Sequence, residues 1–305
     1  MTATVFYQIA VMLLLVLVGW ALSKGGKLPD TRTLGGYLAN AALPATIINS
    51  MQVQVSTELL VSMGLTVIGF LVLMFSGAAV GFFVGRLAKQ PTSVAATWGA
   101  LAAFPNIIFM GWPFKYAAFG EPAIPLIPGV GLGFTIGCFT FGIWLLSRCG
   151  TNPSQVSLKK LLLQPIILSC FAGTIIMLSP ANLPGPALAT IEMLAATTTP
   201  VAMVIIGSLF AKCNMREVFL DGKAYLASFT LLVPAALAAH FLFGLFIGDE
   251  MISGFLTIGA LMPAATILPV IAAEQGGDAL FCSKVAVLST VMSAATLPLL
   301  LPLLI

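Results

Sequence analysis

The chain has 305 residues, of which 59% are hydrophobic and only 8% are charged, and its formal net charge is +3. Because a soluble domain carries roughly 25% charged residues, this composition excludes a water-soluble protein and predicts one embedded in membrane lipid. The absence of a basic run in the sequence argues against a nucleic-acid partner. The first apolar stretch, residues 5–21, has no basic segment before it, so we interpret it as a retained helix and not as a signal peptide.

Charged and turn-rich breaks divide the whole chain into apolar stretches, and about 20 such residues cross a bilayer core. We therefore predict an all-α polytopic membrane protein with ten transmembrane helices, which we call spans 1 to 10. The spans are predicted at residues 4–22, 33–52, 58–86, 93–119, 123–147, 160–178, 186–211, 223–247, 251–273 and 280–304.

The positions of the basic residues support this count. Eleven of the 13 Lys and Arg residues lie in the connections that follow odd-numbered spans or at the span ends that border them, and the other two, Lys115 and Lys284, lie inside spans. By the positive-inside rule, both chain termini then face outward. The longest inner connection, residues 148–159, separates a first repeat, residues 1–147, from a second, residues 160–305. Each repeat has five spans, so the two cross the membrane in opposite directions, as inverted repeats do.

Prolines recur at matching places in the two repeats. Spans 2 and 7 each contain one proline downstream of a Leu-Ala, and spans 4 and 9 each contain a pair. These residues are Pro44 and Pro200, then Pro105 with Pro113, and Pro263 with Pro269. The pairs are typical of the discontinuous helices of an inverted-repeat transporter. The alternative is that prolines are simply frequent in membrane helices.

A proline-broken helix frees backbone groups, which hydrocarbon tolerates only where protein or a watery cavity satisfies them. Two half-helices that begin near the bilayer midplane offer N–H groups and partial positive charge to a carboxylate. The sequence therefore predicts an anion site where spans 4 and 9 cross. Its candidate residues are Asn106, Pro105, Ile107, Gly111, Pro113, Thr46, Asn49, Pro263, Thr266 and Pro269. Alternatively, Asn106 holds the unwound backbone, and the other polar residues bridge helices without a ligand.

Three ionisable residues inside spans are candidates for ion or proton coupling, since such residues are costly in a membrane. Glu192 would act as a buried carboxylate, or else as a capped structural acid. Lys115 would attract anions, or else its side chain would snorkel outward, and Lys284 would do the same toward the other side. For His240, the only histidine, we favour a helix–helix hydrogen bond over a proton relay.

The motif "NIIFMGWP", Asn106 to Pro113, is similar to the Asn-x-x-Phe-x-Gly-x-Pro segment of the auxin efflux carrier family, which includes plant PIN carriers and bacterial organic-acid permeases. The segments "AFGEPA", "LANAALPA" and "AAEQGGDALFCSKVAVLSTVMSAATLPLL" also resemble that family's pattern. The resemblance covers essentially the whole chain. The short connection between the repeats resembles that of bacterial members, which implies the bacterial inner membrane.

The resemblance implies an NhaA-type fold, with a scaffold of spans 1, 2, 6 and 7 and a transport domain of spans 3–5 and 8–10. In that fold, spans 4 and 9 cross and the anion binds at the crossing, against span 2. It also implies an elevator movement and a homodimer. Here Pro-Asn-Ile stands where plant carriers have Asn-Pro-Asn, so we expect a small mono- or dicarboxylate such as malate or malonate in preference to auxin.

The predicted function is thus secondary transport of small organic anions by one transmembrane unit, residues 1–305, with no cofactor and with H⁺ or Na⁺ as candidate coupling ions. The alternative is a sodium-coupled bile-acid-type symporter on the same fold. The chain lacks HExxH, GxSxG and phosphate-binding-loop motifs, so we predict neither an enzyme nor a primary pump. The five scattered cysteines are interpreted as packing residues and not as a metal site.

Overall fold

The computed structural model describes residues 2–28, 31–52, 56–108, 110–148, 163, 165–179, 183–212, 214–275 and 277–305. All regular elements within these ranges are helical. Most of the predicted connection between the two repeats falls outside the described residues.

The described part of the predicted first repeat contains eight α-helices, some of which join end to end. A π-helical turn, Leu38–Ala42, links α2 to α3, and another, Cys138–Gly142, links α7 to α8. A short 3₁₀-helix, Glu121–Leu126, precedes α7. The helices are α1 Thr2–Lys24, α2 Thr31–Tyr37, α3 Leu43–Ser50, α4 Thr57–Leu87, α5 Thr92–Ala103, α6 Gly111–Phe119, α7 Ile127–Gly137 and α8 Ile143–Ser147.

The described part of the predicted second repeat contains nine α-helices. A π-helical turn that contains Pro234, Leu231–Ala235, links α13 to α14. The helices are α9 Pro165–Leu178, α10 Gly185–Ala196, α11 Thr198–Lys212, α12 Met215–Phe219, α13 Gly222–Thr230, α14 Ala236–Phe246, α15 Glu250–Ala260, α16 Leu268–Glu274 and α17 Ala279–Leu304. Helical segments therefore lie over all ten predicted spans.

Among the described residues, five continuous helical segments are long and apolar enough to cross a membrane. These are Thr57–Leu87, Glu121–Ser147, Gly185–Ser208, Gly222–Phe246 and Ala279–Leu304. Shorter apolar helices occur at Ala10–Lys24, Pro165–Leu178 and Glu250–Ala260. The structure is thus that of a polytopic α-helical membrane protein, while ten crossings stay a prediction.

Single polar side chains fix where several apolar helices begin. Ser56 accepts a hydrogen bond from the backbone N–H of Leu59 at the start of α4. Asp249 does the same for α15, and Asp278 for α17. Each side chain satisfies one of the backbone donors that a helix start leaves free. The caps explain why these helices start at the turns that divide the sequence into spans.

The helices pack in two groups. In one, α1 lies against α11, and α3 lies against α9 and α10. In the other, α4 packs on α5, α7 and α14, while α17 packs on α13 and α16. The two groups contact each other through α1 with α6 and with α17, among other pairs. The broken helices of spans 4 and 9 both belong to the second group.

Candidate substrate site where two broken helices meet

Spans 4 and 9 are each interrupted in the middle. Residues 104–110 separate α5 from α6, and residues 261–267 separate α15 from α16. At the centre of the two interruptions, Pro105 and Ala264 face each other as an antiparallel β-bridge. The breaks predicted from the proline pairs are therefore present, and they contact each other. We call this contact the junction.

Two backbone hydrogen bonds hold the junction together. The N–H of Asn106 donates to the carbonyl of Pro263 over 2.6 Å, and the N–H of Ala265 donates to the carbonyl of Phe104 over 2.9 Å. Each break thus donates one bond and accepts one. This exchange satisfies backbone groups that a broken helix would otherwise leave unpaired in an apolar environment.

The two residues at the centre of the junction differ in their backbone hydrogen-bond donors. Pro105 has no backbone N–H, whereas Ala264 has one, which donates to the hydroxyl oxygen of Ser289 over 3.1 Å. Ser289 lies in α17 and is fully buried. Ser289 was not among the residues predicted for the site, although it lies in the family-like segment at residues 272–300 and is a serine deep in a long apolar helix.

We expect Ser289→Ala to lower the free energy of unfolding by about 1–3 kcal/mol, since it leaves the buried N–H of Ala264 without an acceptor. Thermal unfolding of the purified protein in detergent measures the change. The matched control is Ser293→Ala, one turn further along α17, whose equally buried hydroxyl donates to the carbonyl of Thr290 in its own helix. Equal losses in the two variants would show that the bond to Ala264 contributes nothing.

Asn106 lies at the edge of the junction with only 2% of its surface exposed. Its backbone carbonyl accepts a hydrogen bond of 3.0 Å from the N–H of Gly111, and this bond connects the first turn of α6 to the break. Its side-chain amide nitrogen, Nδ2, is buried and has no hydrogen-bond partner among the described residues. The backbone of Asn106 is therefore satisfied, whereas its side-chain donor is free.

The neighbouring residues of α6 repeat this pattern. The indole nitrogen of Trp112 and the ammonium nitrogen of Lys115 are also buried without a hydrogen-bond partner in the described part of the chain. Lys115 is fully buried, with its Nζ 4.1 Å from the centre of the Phe255 ring. The outward-snorkelling alternative for Lys115 is therefore wrong. The three nitrogen groups of Asn106, Trp112 and Lys115 can only donate hydrogen bonds. Each therefore lacks an acceptor, which water or an anion could supply.

Comparison with known proteins identifies the chain. The sequence profile described as "Membrane transport protein" matches residues 4–148 and 151–301. The chain belongs to this membrane transport protein family. The transporter is also similar to a protein of Methanothermobacter thermautotrophicus described as an uncharacterized transporter, with 25% identity over 295 residues that cover 94% of each chain. Membership of the auxin efflux carrier family, predicted from the motifs, is thereby confirmed.

Several predicted site residues of the transporter lie at the junction or on its edges. Ile107 is buried beside Asn106, and Thr266 lies half-buried in the second break with Pro263. Pro113 and Pro269 occupy the first turns of α6 and α16. At these positions a proline removes an N–H that a helix start leaves unpaired in any case.

Thr46 and Asn49 lie on α3 of span 2. The hydroxyls of Thr46 and Thr198 share a hydrogen bond of 2.7 Å, and Thr46 also donates to the carbonyl of Ala42. Tyr37 and Thr197 form a second bond of 2.7 Å between the same two spans. Thr46 therefore joins spans 2 and 7 of the transporter, which is the helix-bridging alternative for this residue; Asn49 is half-buried on the same helix.

Two candidate coupling residues also differ from their expected surroundings. Glu192 is exposed on α10, which contains no buried residue, so the burial expected for its carboxylate is absent. Lys284 forms an ion pair with Asp221 over 3.0 Å. His240 makes the predicted interhelical hydrogen bond, to Thr257 over 3.0 Å.

Asp221 caps α13 at its first turn, at the edge of the apolar segment. Partial burial alone would raise the pKa of its carboxyl. The hydrogen bond from Lys284, the backbone N–H groups of Ala224 and Lys223, and the charge of Lys284 outweigh burial and hold this pKa below its usual value. Lys284 thus already neutralises a carboxylate within the protein.

Proposed function

We propose that the protein is a secondary transporter of small organic anions, and that a carboxylate binds at the junction of the two broken helices. The observation that carries the proposal is the set of buried donors without acceptors that extends from Asn106 to Lys115. Burying a donor without an acceptor is costly. A carboxylate would supply the missing acceptors, and bonds to a charged acceptor are stronger than bonds to water or amide oxygens.

The proposal covers the architecture as well. We propose ten crossings in two inverted five-span repeats with an NhaA-type arrangement. The packing supports it: the pairs α1 with α11 and α9 with α3 are related by a shift of five spans. The pairs α4 with α7 and α13 with α17 are related in the same way, as are α5 with α8 and α15 with α17. An inverted repeat generates such matched pairs of contacts.

We further propose that the first packing group is the scaffold and the second the transport domain, which moves as an elevator and carries the junction with it. The hydroxyl pairs that join spans 2 and 7 favour a rigid scaffold. A homodimer in a bacterial inner membrane, with both termini outside, completes the proposal. Helix α10 has no buried residue and only one charged residue, Glu192, so it is available to contact lipid or a second copy of the chain.

For coupling to H⁺ or Na⁺, the candidates stay Glu192, Lys115 and Lys284. Of the three, only Lys115 is fully buried beside the junction. A sodium-coupled bile-acid-type symporter is the alternative function on the same fold.

The test is uptake by proteoliposomes that contain the purified protein, with radiolabelled lactate, malonate and malate, in sodium and in potassium buffers. We expect uptake of at least one small carboxylate above that of protein-free liposomes. Sodium-dependent uptake of a bile acid, without uptake of any small carboxylate, would instead establish the alternative. Transport of neither class would contradict the proposed function.

A further inference from the structure

Lys115 is the only Asp, Glu, Lys, Arg or His among the buried side chains that the structure describes. It lies in the second turn of α6, one turn beyond Gly111. Its side chain extends onto α15, where Phe255 and Gly259 are also one turn apart. The ammonium group lies over the Phe255 ring, and a Cβ at Gly259 would be only 3.2 Å from Nζ. The glycine thus leaves the space that the ammonium occupies.

Among the acids whose side chains the structure describes, none neutralises this charge. Helix α6 packs against α1, α15 and the 3₁₀-helix Glu121–Leu126. Helix α1 has no acidic residue, and the acids on the other two elements, Glu250 and Glu121, are exposed. Within the described chain, Lys115 forms no ion pair and no hydrogen bond. An aromatic ring offsets only part of the hydration that a buried ammonium loses.

The ammonium is next to the junction. The Cγ2 atom of Ile107 and the Nζ atom of Lys115 both lie 3.2 Å from the position that a Cβ at Gly259 would take. Ile107 follows Asn106, whose free amide marks the edge of the junction. A carboxylate that accepts a hydrogen bond from Asn106 would therefore lie beside the ammonium, which has no counter-ion among the described residues.

We propose that Lys115 is the counter-charge for the transported anion and that it makes the site select singly charged carboxylates. This inference rests on the proposed function and narrows its substrate class. One buried positive charge balances one carboxylate. The second carboxylate of a dianion would be buried without a cation, because no other cation lies among the buried side chains that are described.

The test compares wild type, Lys115→Met and Lys24→Met by titration with lactate, malonate and neutral lactamide in chloride-free detergent solution. Methionine keeps an unbranched apolar stem, and Lys24 is an exposed lysine at the end of α1 that controls for the loss of one charge. We expect wild type and Lys24→Met to bind lactate most tightly, malonate more weakly and lactamide not at all. We expect Lys115→Met to bind lactate at least about tenfold more weakly.

A second measurement does not depend on binding by the variant. Without any anion, Lys115→Met should melt at a higher temperature than wild type, because it removes an uncompensated buried charge. Lactate should raise the melting temperature of wild type but not that of Lys115→Met. If Lys115→Met binds lactate as tightly as wild type does, or if wild type binds lactate and lactamide equally well, Lys115 is not the counter-charge. Either result would leave the proposed carboxylate transport standing. Failure of wild type to bind or transport any carboxylate would overturn both.

Discussion

Asn106→Ala should reduce the initial rate of carboxylate uptake by at least about tenfold while leaving the melting temperature close to that of wild type. The side-chain Nδ2 of Asn106 has no protein partner among the described residues, so its removal breaks no internal hydrogen bond. The backbone bonds to Pro263 and Gly111 do not depend on the side chain. A bound carboxylate, in contrast, loses a charge-assisted bond, which contributes about 1.5–3 kcal/mol. Uptake and thermal unfolding are measured on the same preparations.

Two further variants sharpen this prediction. Asn106→Asp keeps the size of the side chain but replaces a donor by a negative charge, so uptake should fall further than in Asn106→Ala. Asn214→Ala, at an exposed position between α11 and α12, is the control and should transport normally. If Asn106→Ala unfolds at a much lower temperature and retains uptake per folded molecule, the side chain holds the unwound backbone and the junction is not the anion site.

The sequence predicted the broken helices because proline has a strong local effect. A proline inside a helix removes a backbone hydrogen bond and clashes with the preceding turn, and residues 104–110 and 261–267 are indeed irregular. A proline pair alone does not decide the matter, since α17 continues through Pro298 and Pro302. The location of Asn106 in the first break follows from the same pattern. These predictions rest on backbone chemistry, which depends little on distant parts of the chain.

Side-chain surroundings were harder to predict, since they depend on which helices pack together. Helices α5 and α15 are apolar on all sides and nearly all their residues are buried, so periodicity gave no inward face from which to place partners. The environments of Lys115 and Glu192 were consequently reversed: the lysine is buried and the carboxylate exposed. The bond from Ala264 to Ser289 joins residues 25 positions apart, and no local pattern indicates it.

The second large effect is expected at the contact that positions α5. Three glycines of α4 that are spaced four residues apart, Gly77, Gly81 and Gly85, face α5. A Cβ at Gly77 would overlap the carbonyl oxygen of Ala102, and one at Gly81 would overlap that of Trp98. Because the overlapped atoms belong to the backbone, no side-chain rotation relieves them, and the two helices must separate. Small residues permit this kind of close approach between membrane helices.

We therefore expect the double variant Gly77→Ala/Gly81→Ala to lose on the order of 2–4 kcal/mol of unfolding free energy, even though alanine favours the helix at each site. Thermal unfolding in detergent measures the loss. The control is Gly64→Ala on the same helix, where an added Cβ meets nothing within 4 Å and stability should stay unchanged or rise. Since Ala102 lies in the last turn before the first break, separation of the helices also displaces the junction. Any folded fraction of the double variant should consequently transport more slowly than wild type; normal stability and uptake would show that α4 does not position the broken helix.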